Sequence, residues 1–186
     1  TSAQEPKSDR PAKKPANIGV SYNLHDFDTK TLSPIEDSAY GFSIMFWKGI
    51  SRKIDYSIRA NGLFPNKNKY NVISKNPVSG EIELAFHAKA FPDKATLNPF
   101  LTLGFGGGYY HKDIATVPFG ETYTWNGHAI GGGGLQLNIK SELYFLLQAN
   151  YRYSIDEKVL PHNLFYSFGL TKSLTKRKAP PVPVVA

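Results

Sequence analysis

Apolar and polar residues alternate along eight segments of this chain. Residues 53–63 show the unit, because Tyr56 and Ile58 share one parity while Asp55 and Arg59 share the other. A period of two is that of a β-strand whose faces meet different surroundings. The alternation predicts eight strands, at residues 18–25, 40–47, 53–63, 80–91, 98–110, 122–138, 142–153 and 162–171.

The connections between these strands run long, short, long, short, long, short, long. This rhythm predicts an antiparallel up-and-down order, and strands of about 9–11 residues can cross a bilayer when tilted. Charged residues recur near mid-strand on the polar face, which favours a barrel with its apolar face toward lipid and its polar face inward. We therefore predict an all-β fold, an eight-stranded antiparallel transmembrane β-barrel of the outer-membrane type with a filled polar lumen. A soluble ligand-binding barrel is the alternative.

The charges on the polar face predict how the lumen is filled. An eight-stranded barrel has an interior only wide enough for side chains, and an unpaired buried charge is costly. Counting strand heights places Asp55 beside Lys89, and Arg59 between Glu83 and His87. We expect a plug of ion pairs, with a narrow gated ion path as the alternative. The predicted network is Asp55, Arg59, Glu81, Glu83, Lys89, Glu142 and Arg152.

Aromatic residues make up 13% of the chain and gather at strand ends. In a soluble barrel they would form a core or a ligand cavity, whereas in a membrane barrel they form interfacial girdles. The predicted girdle is Tyr40, Trp47, Tyr109, Tyr123, Trp125, Tyr151, Tyr153 and Tyr166.

The net charge of +7 over 186 residues is unevenly distributed. Residues 1–16 contain four basic and two acidic side chains, residues 171–186 contain four basic ones, and the rest has a net charge of only +1. Nucleic-acid binding would need a basic face within the fold, so no nucleic-acid partner is expected. Basic flanks of a membrane domain suit anionic headgroups instead.

The sequence offers little for catalysis. Its two glycine runs, 104–108 and 131–134, lie within strand patterns and match no phosphate-binding loop. The five histidines have no nucleophile motif beside them, and their spacing gives no metal ligand set. There is no cysteine. We expect neither an enzyme nor a bound cofactor or metal.

Several segments together resemble the N-terminal barrel of OmpA-type outer-membrane proteins. Strand one ends in the sequence NLHDF at 23–27, strand five reads NPFLTLGFGGGY at 98–109, and strand seven contains QANYRY at 148–153. A glycine-rich strand six and a proline-rich segment after strand eight follow in the family's order. The likeness covers about residues 17–172.

This resemblance implies a bacterial outer-membrane protein with both termini in the periplasm. It implies a flexible lead at 1–16, the barrel at 17–172, and a basic proline-rich linker at 173–186 that leads to a peptidoglycan-binding domain outside this sequence. The expected partners are outer-membrane lipids, lipopolysaccharide and, through that domain, peptidoglycan. The leading function is therefore a structural anchor. An accessory subunit of a larger outer-membrane complex, for barrel assembly or protein export, is the alternative, and a small gated channel is less favoured.

Overall fold

A computed structural model describes residues 16–27, 38–64, 78–91, 95–112, 114–115, 119–140 and 142–174. The predicted lead and linker therefore lie almost entirely outside the described residues. Most of the described residues belong to eight strands: β1 Ala16–Asp26, β2 Ser38–Gly49, β3 Ile54–Phe64, β4 Ser79–Lys89, β5 Leu97–His111, β6 Tyr123–Lys140, β7 Leu143–Ser154 and β8 Asn163–Ser173.

The eight strands close into one barrel. Each strand pairs antiparallel with its neighbours in sequence, and β8 returns to β1 along a ladder that runs from Asn17–Ser173 to Asp26–Leu164. Closure leaves no unpaired sheet edge. The predicted fold is confirmed, and every strand begins and ends within two residues of its predicted position.

The two ends of the barrel differ. The short connections β2–β3, β4–β5 and β6–β7 lie at one end, together with the first residue of β1 and the last of β8. In the β2–β3 turn, the Ile50 and Ser51 amides both donate to the Ile54 carbonyl, at 2.8 and 2.9 Å. We call this the short-turn end, and the opposite one the long-loop end.

The barrel is apolar outside and polar inside. Val20 and Leu103 are 62% and 71% exposed on the outer face, whereas Asn23 and Arg152 are 0% and 1% exposed inside. A soluble protein would have the reverse arrangement, because large contiguous apolar patches are rare on protein surfaces that face water. Across the described ranges, no helix is long and apolar enough to cross a membrane.

The two glycine runs lie in β5 and β6, which pair with each other along 15 residue pairs. A methyl group added at Gly104 would lie 2.5 Å from the Leu84 carbonyl oxygen and 2.8 Å from the Ala85 Cα of the neighbouring strand. Because glycine has no side chain, β5 can approach β4 closely at this inward-facing position, where the wall curves tightly.

Candidate functional site

The candidate functional site is the set of hydrogen-bonded and ion-paired side chains inside the lumen. Its centre is Arg152, on the inner face of β7. Nη1 of Arg152 lies 3.0 Å from Oε2 of Glu81 and 2.9 Å from Nδ1 of His25, and Nη2 forms an ion pair with Glu83. The Tyr110 hydroxyl donates a 2.7 Å hydrogen bond to the other Glu81 oxygen. Both oxygens of Glu81 therefore have partners.

A second arginine completes the charge balance at this level. Nη1 of Arg59 lies 3.8 Å from Oε2 of Glu83, and Nη2 of Arg59 donates to the side-chain carbonyl of Gln148 on the far wall. Nε2 of His128 lies 3.1 Å from Oε1 of Glu83. Two glutamates thus face two arginines, so the central cluster is electrically neutral when the histidines are neutral.

The ring of Phe165 lies between the two arginines. The guanidinium carbon of Arg152 is 3.8 Å from the ring centroid and that of Arg59 is 5.0 Å from it. Both distances are in the range of cation–π attraction, which is strongest where water is excluded. Phe165 therefore stabilises two cations in a narrow space.

A separate polar group lies nearer the short-turn end. Lys89 forms an ion pair with Asp55, which also accepts a 2.7 Å hydrogen bond from the Trp47 indole nitrogen. The imidazole of His87 stacks on Trp47 with centroids 3.9 Å apart. It is held there by hydrogen bonds to the hydroxyls of Ser57 and Thr102, at 2.8 and 3.0 Å.

An apolar layer lies in the lumen beside this second polar group and in contact with it. It consists of Met45 and Trp47 from β2, Phe100 from β5 and Leu146 from β7, each no more than 4% exposed. The Phe100 ring meets Trp47 edge-on at 5.5 Å. These side chains come from β2, β5 and β7, so they bring groups that do not solvate an ion into the lumen.

A second apolar layer covers the central cluster at the long-loop end. Tyr110, Ala115 and Leu160 are almost fully buried together, and Phe27 packs against them. Leu160 belongs to the connection 155–162, which Asn126 holds by donating to the Asp156 carbonyl at 3.1 Å and accepting from its amide at 3.3 Å. The central charges thus lie between two apolar layers inside the lumen.

The structure brings together six of the seven residues predicted for the network. Asp55 pairs with Lys89, as strand counting predicted. Arg59 lies directly opposite Glu83 rather than between Glu83 and His87, because His87 is opposite Asp55 in the ladder. Glu142 does not belong to the network, because it lies in the β6–β7 turn, one residue before β7 begins. Its carbonyl accepts the Ser173 amide at 2.8 Å at the rim of the barrel.

The aromatic residues predicted for the girdle face outward, with one exception. Trp47 is 3% exposed and lies in the lumen, because it shares the inward parity of Met45 on β2. The prediction that Trp47 belongs to a girdle was therefore wrong. The seven others all lie toward the long-loop end: Tyr40, Tyr109, Tyr123, Trp125, Tyr151, Tyr153 and Tyr166.

Several lumen residues were not singled out from the sequence. Gln148, Phe165 and His25 meet the arginines only because strands far apart in the chain face one another across the lumen. Met45 and Leu146 carried a detectable signal, since each is an apolar residue with the inward parity of its strand. Among the described residues, no three metal-binding side chains converge.

The sequence matches no protein-family model and no curated protein. Solved structures do match. The outer-membrane protein OprG of Pseudomonas aeruginosa is 10% identical, with a TM-score of 0.59 over 88% of this chain and 98% of that one. The N-terminal β-barrel domain of OprF from the same organism is 9% identical, with a TM-score of 0.57 over 86% and 98%.

A third structure is Ail, the attachment invasion locus protein of Yersinia pestis, in complex with the heparin analogue sucrose octasulfate. It is 13% identical, with a TM-score of 0.51 over 86% of this chain and 97% of that chain. The chain has the eight-stranded outer-membrane barrel fold. At these identities the likeness concerns the fold alone.

Proposed function

We propose that this protein is a structural β-barrel that anchors its chain in a bacterial outer membrane. The observation that carries the proposal is the inversion of polarity, with an apolar outer wall around a lumen filled by the Arg152 cluster and its two apolar layers. A wall of exposed Val, Ile, Leu and Phe is stable in lipid, where the closed ladder also pairs the backbone polar groups. A filled lumen supports anchoring rather than transport.

The short-turn end faces the periplasm in this proposal, and the aromatic girdle lies in the outer leaflet. Short periplasmic turns and longer outer loops are the usual arrangement of such barrels. Both ends of the described chain then lie on the periplasmic side. From there the basic, proline-rich segment 173–186 extends toward the cell wall, and we infer that it connects the barrel to a peptidoglycan-binding domain.

Cysteine labelling tests the membrane placement, because these 186 residues contain no cysteine. Arg52→Cys is in the β2–β3 turn and Glu157→Cys is in the β7–β8 connection, and both positions are exposed. In intact cells, a membrane-impermeant maleimide should label Glu157→Cys and should label Arg52→Cys only after the outer membrane is permeabilised. Equal labelling of both in intact cells, or recovery of the protein in the soluble fraction, would overturn the proposal.

The tether has its own test, the intact mass of the protein isolated from its native membranes. A mass well above 20.7 kDa supports a further domain after the linker. A mass at that value would remove the peptidoglycan tether while leaving the membrane anchor untouched.

A further inference from the structure

The outer wall is not uniformly convex. A groove of about 720 Å³ runs along it over β7, β8, β1, β2 and β3. The residues that give the groove its apolar walls are Val20, Tyr22, Phe42, Ile44, Phe168 and Leu170. Its floor is formed by β3, where the outward-facing residues in the groove are the small Ala60 and Gly62. This volume lies in the range of pockets that hold small molecules, roughly 300–1,000 Å³.

Two lysines lie at the short-turn end of this groove. Lys172 follows Leu170 on the outer face of β8, and Lys48 follows Ile44 and Phe46 on the outer face of β2. Both are exposed, and no carboxylate of the described residues forms an ion pair with either of them.

The strand register places these lysines on either side of β1. Lys172 is directly opposite Ile18 and Lys48 is directly opposite Ala16. With strands about 4.8 Å apart, their backbones are on the order of 10 Å from each other across the wall. Two flexible lysine side chains at that spacing can approach the same small anion.

The other charged residues at the short-turn end also favour binding of an anion. Outside the lumen, the described residues at the short-turn end include five basic side chains and one acidic one, Glu142. The basic residues are Lys48, Arg52, Lys53, Lys140 and Lys172. Lysines near a membrane surface attract anionic lipids. Among these five, Lys48 and Lys172 alone continue the groove-lining faces of their strands.

We propose that the groove and the two lysines form a binding site for one anionic phospholipid. Its acyl chains lie along Val20, Ile44 and Leu170, and its phosphate is held by Lys48 and Lys172 at the short-turn end. The site rests on the proposed membrane placement. It goes beyond that placement in specifying a headgroup charge, a position on the wall and one lipid per barrel.

Native mass spectrometry of the full chain in detergent tests the site directly. The protein is titrated with phosphatidylglycerol or with phosphatidylcholine of the same acyl chains. We expect one phosphatidylglycerol per barrel, bound roughly thirtyfold more tightly than phosphatidylcholine, as two lysines at a membrane surface would give. Equal affinities for the two lipids would overturn the proposal.

Charge and shape are separated by three variants. Lys48→Gln combined with Lys172→Gln should remove the headgroup preference. Lys140→Gln is the matched control, because it removes a lysine from the same end but on β6, away from the groove. Ala60→Trp fills the floor of the groove and should weaken both lipids alike. Loss of preference in Lys140→Gln as large as in the double variant would mean a general surface-charge effect and would contradict a built site.

A photocrosslinker distinguishes a lipid from a protein in the groove. Ala60→Cys carrying a benzophenone maleimide should crosslink to phospholipid in native membranes, whereas a discrete protein adduct would show that a partner subunit occupies the groove. Protease protection in vesicles separates the two proposals. A barrel that is digested throughout has failed as a membrane protein, whereas a protected barrel without lipid preference overturns this site alone.

Discussion

Nη1 of Arg152 and Oε2 of Glu81 lie 3.0 Å apart in the lumen, although 71 positions separate the two residues in the chain. Neither side chain is more than 2% exposed. Arg152 also pairs with Glu83, so one guanidinium bridges two carboxylates that face the same cavity from β4. The pair shows how polar residues are accommodated inside a narrow barrel: charges are matched by others from neighbouring strands, as in Arg59–Glu83, or from a distant strand, as here.

Removal of Arg152 should therefore be severe. Arg152→Ala leaves two buried carboxylates without their main partner, and we expect the free energy of unfolding to fall by about 3–5 kcal/mol. Arg59→Ala should cost less, because its nearest carboxylate oxygen is 3.8 Å away. Urea titration of protein folded in vesicles gives both values. Lys158→Ala, at an exposed position in the β7–β8 connection, is the control, and an Arg152→Ala midpoint equal to its midpoint would contradict the ion-pair cluster.

Trp47→Phe tests the hydrogen bond from the indole to Asp55. The phenyl ring keeps the apolar layer largely filled, while the 2.7 Å hydrogen bond from the indole nitrogen is lost. A hydrogen bond to a charged group contributes about 1.5–3 kcal/mol, so the free energy of unfolding should fall by about that amount. Trp125→Phe, on the outer face, makes the same chemical change and should have a much smaller effect. Equal losses in the two variants would show that Asp55 does not depend on Trp47.

An added methyl group should destabilise the barrel at one glycine of the sheet and have almost no effect at another. At Gly104 the methyl group meets the backbone of β4 at 2.5–2.8 Å, whereas at Gly131 nothing lies within 4 Å. Gly104→Ala should therefore lower the free energy of unfolding by about 1–3 kcal/mol, and Gly131→Ala should change it by less than about 0.5 kcal/mol. The shift in electrophoretic mobility between folded and heated barrel reports the folded fraction, and equal behaviour of the two variants would refute the close strand approach.

The filled lumen predicts that the barrel does not conduct ions. The apolar layer of Met45, Trp47, Phe100 and Leu146 lies inside the lumen, where ions would have to pass. The charges of the Arg152 cluster are paired with one another. In planar bilayers, the reconstituted protein should give no current above that of the bilayer. Discrete conductance steps that disappear in a matched non-folding variant would favour the gated channel instead.

Much of this arrangement could be predicted from the sequence, because parity along a strand decides which face a residue takes. Counting from the short turns predicts Asp55 near Lys89 and Arg59 between Glu83 and His87. The ladder has Arg59 directly opposite Glu83 and Asp55 opposite His87, two residues from its ion-pair partner Lys89. The same rule would have placed Trp47 inside, since its parity is that of Met45. It was assigned to the girdle from its residue type and its position near a strand end.

Contacts across the lumen could not be predicted in this way. The pairing of Arg152 with Glu81 and of Arg59 with Gln148 depends on the stagger with which the sheet closes and on how long side chains turn inside it. The groove on the outer wall has a similar origin. Ala60 and Gly62 mark its floor in the sequence, but its depth depends on the large side chains of β1, β2 and β8 beside them.

Fluorescence quenching by lipid tests the central claim most directly, because the chain has two tryptophans on opposite faces of one wall. In vesicles containing brominated phospholipid, the fluorescence of Trp125 in Trp47→Phe should be strongly quenched. That of Trp47 in Trp125→Phe should be nearly unaffected, because its ring lies in the lumen at 3% exposure, whereas that of Trp125 is 56% exposed on the outer face. Strong quenching of Trp47, or none of Trp125, would contradict a barrel with an apolar wall in lipid and a filled polar lumen.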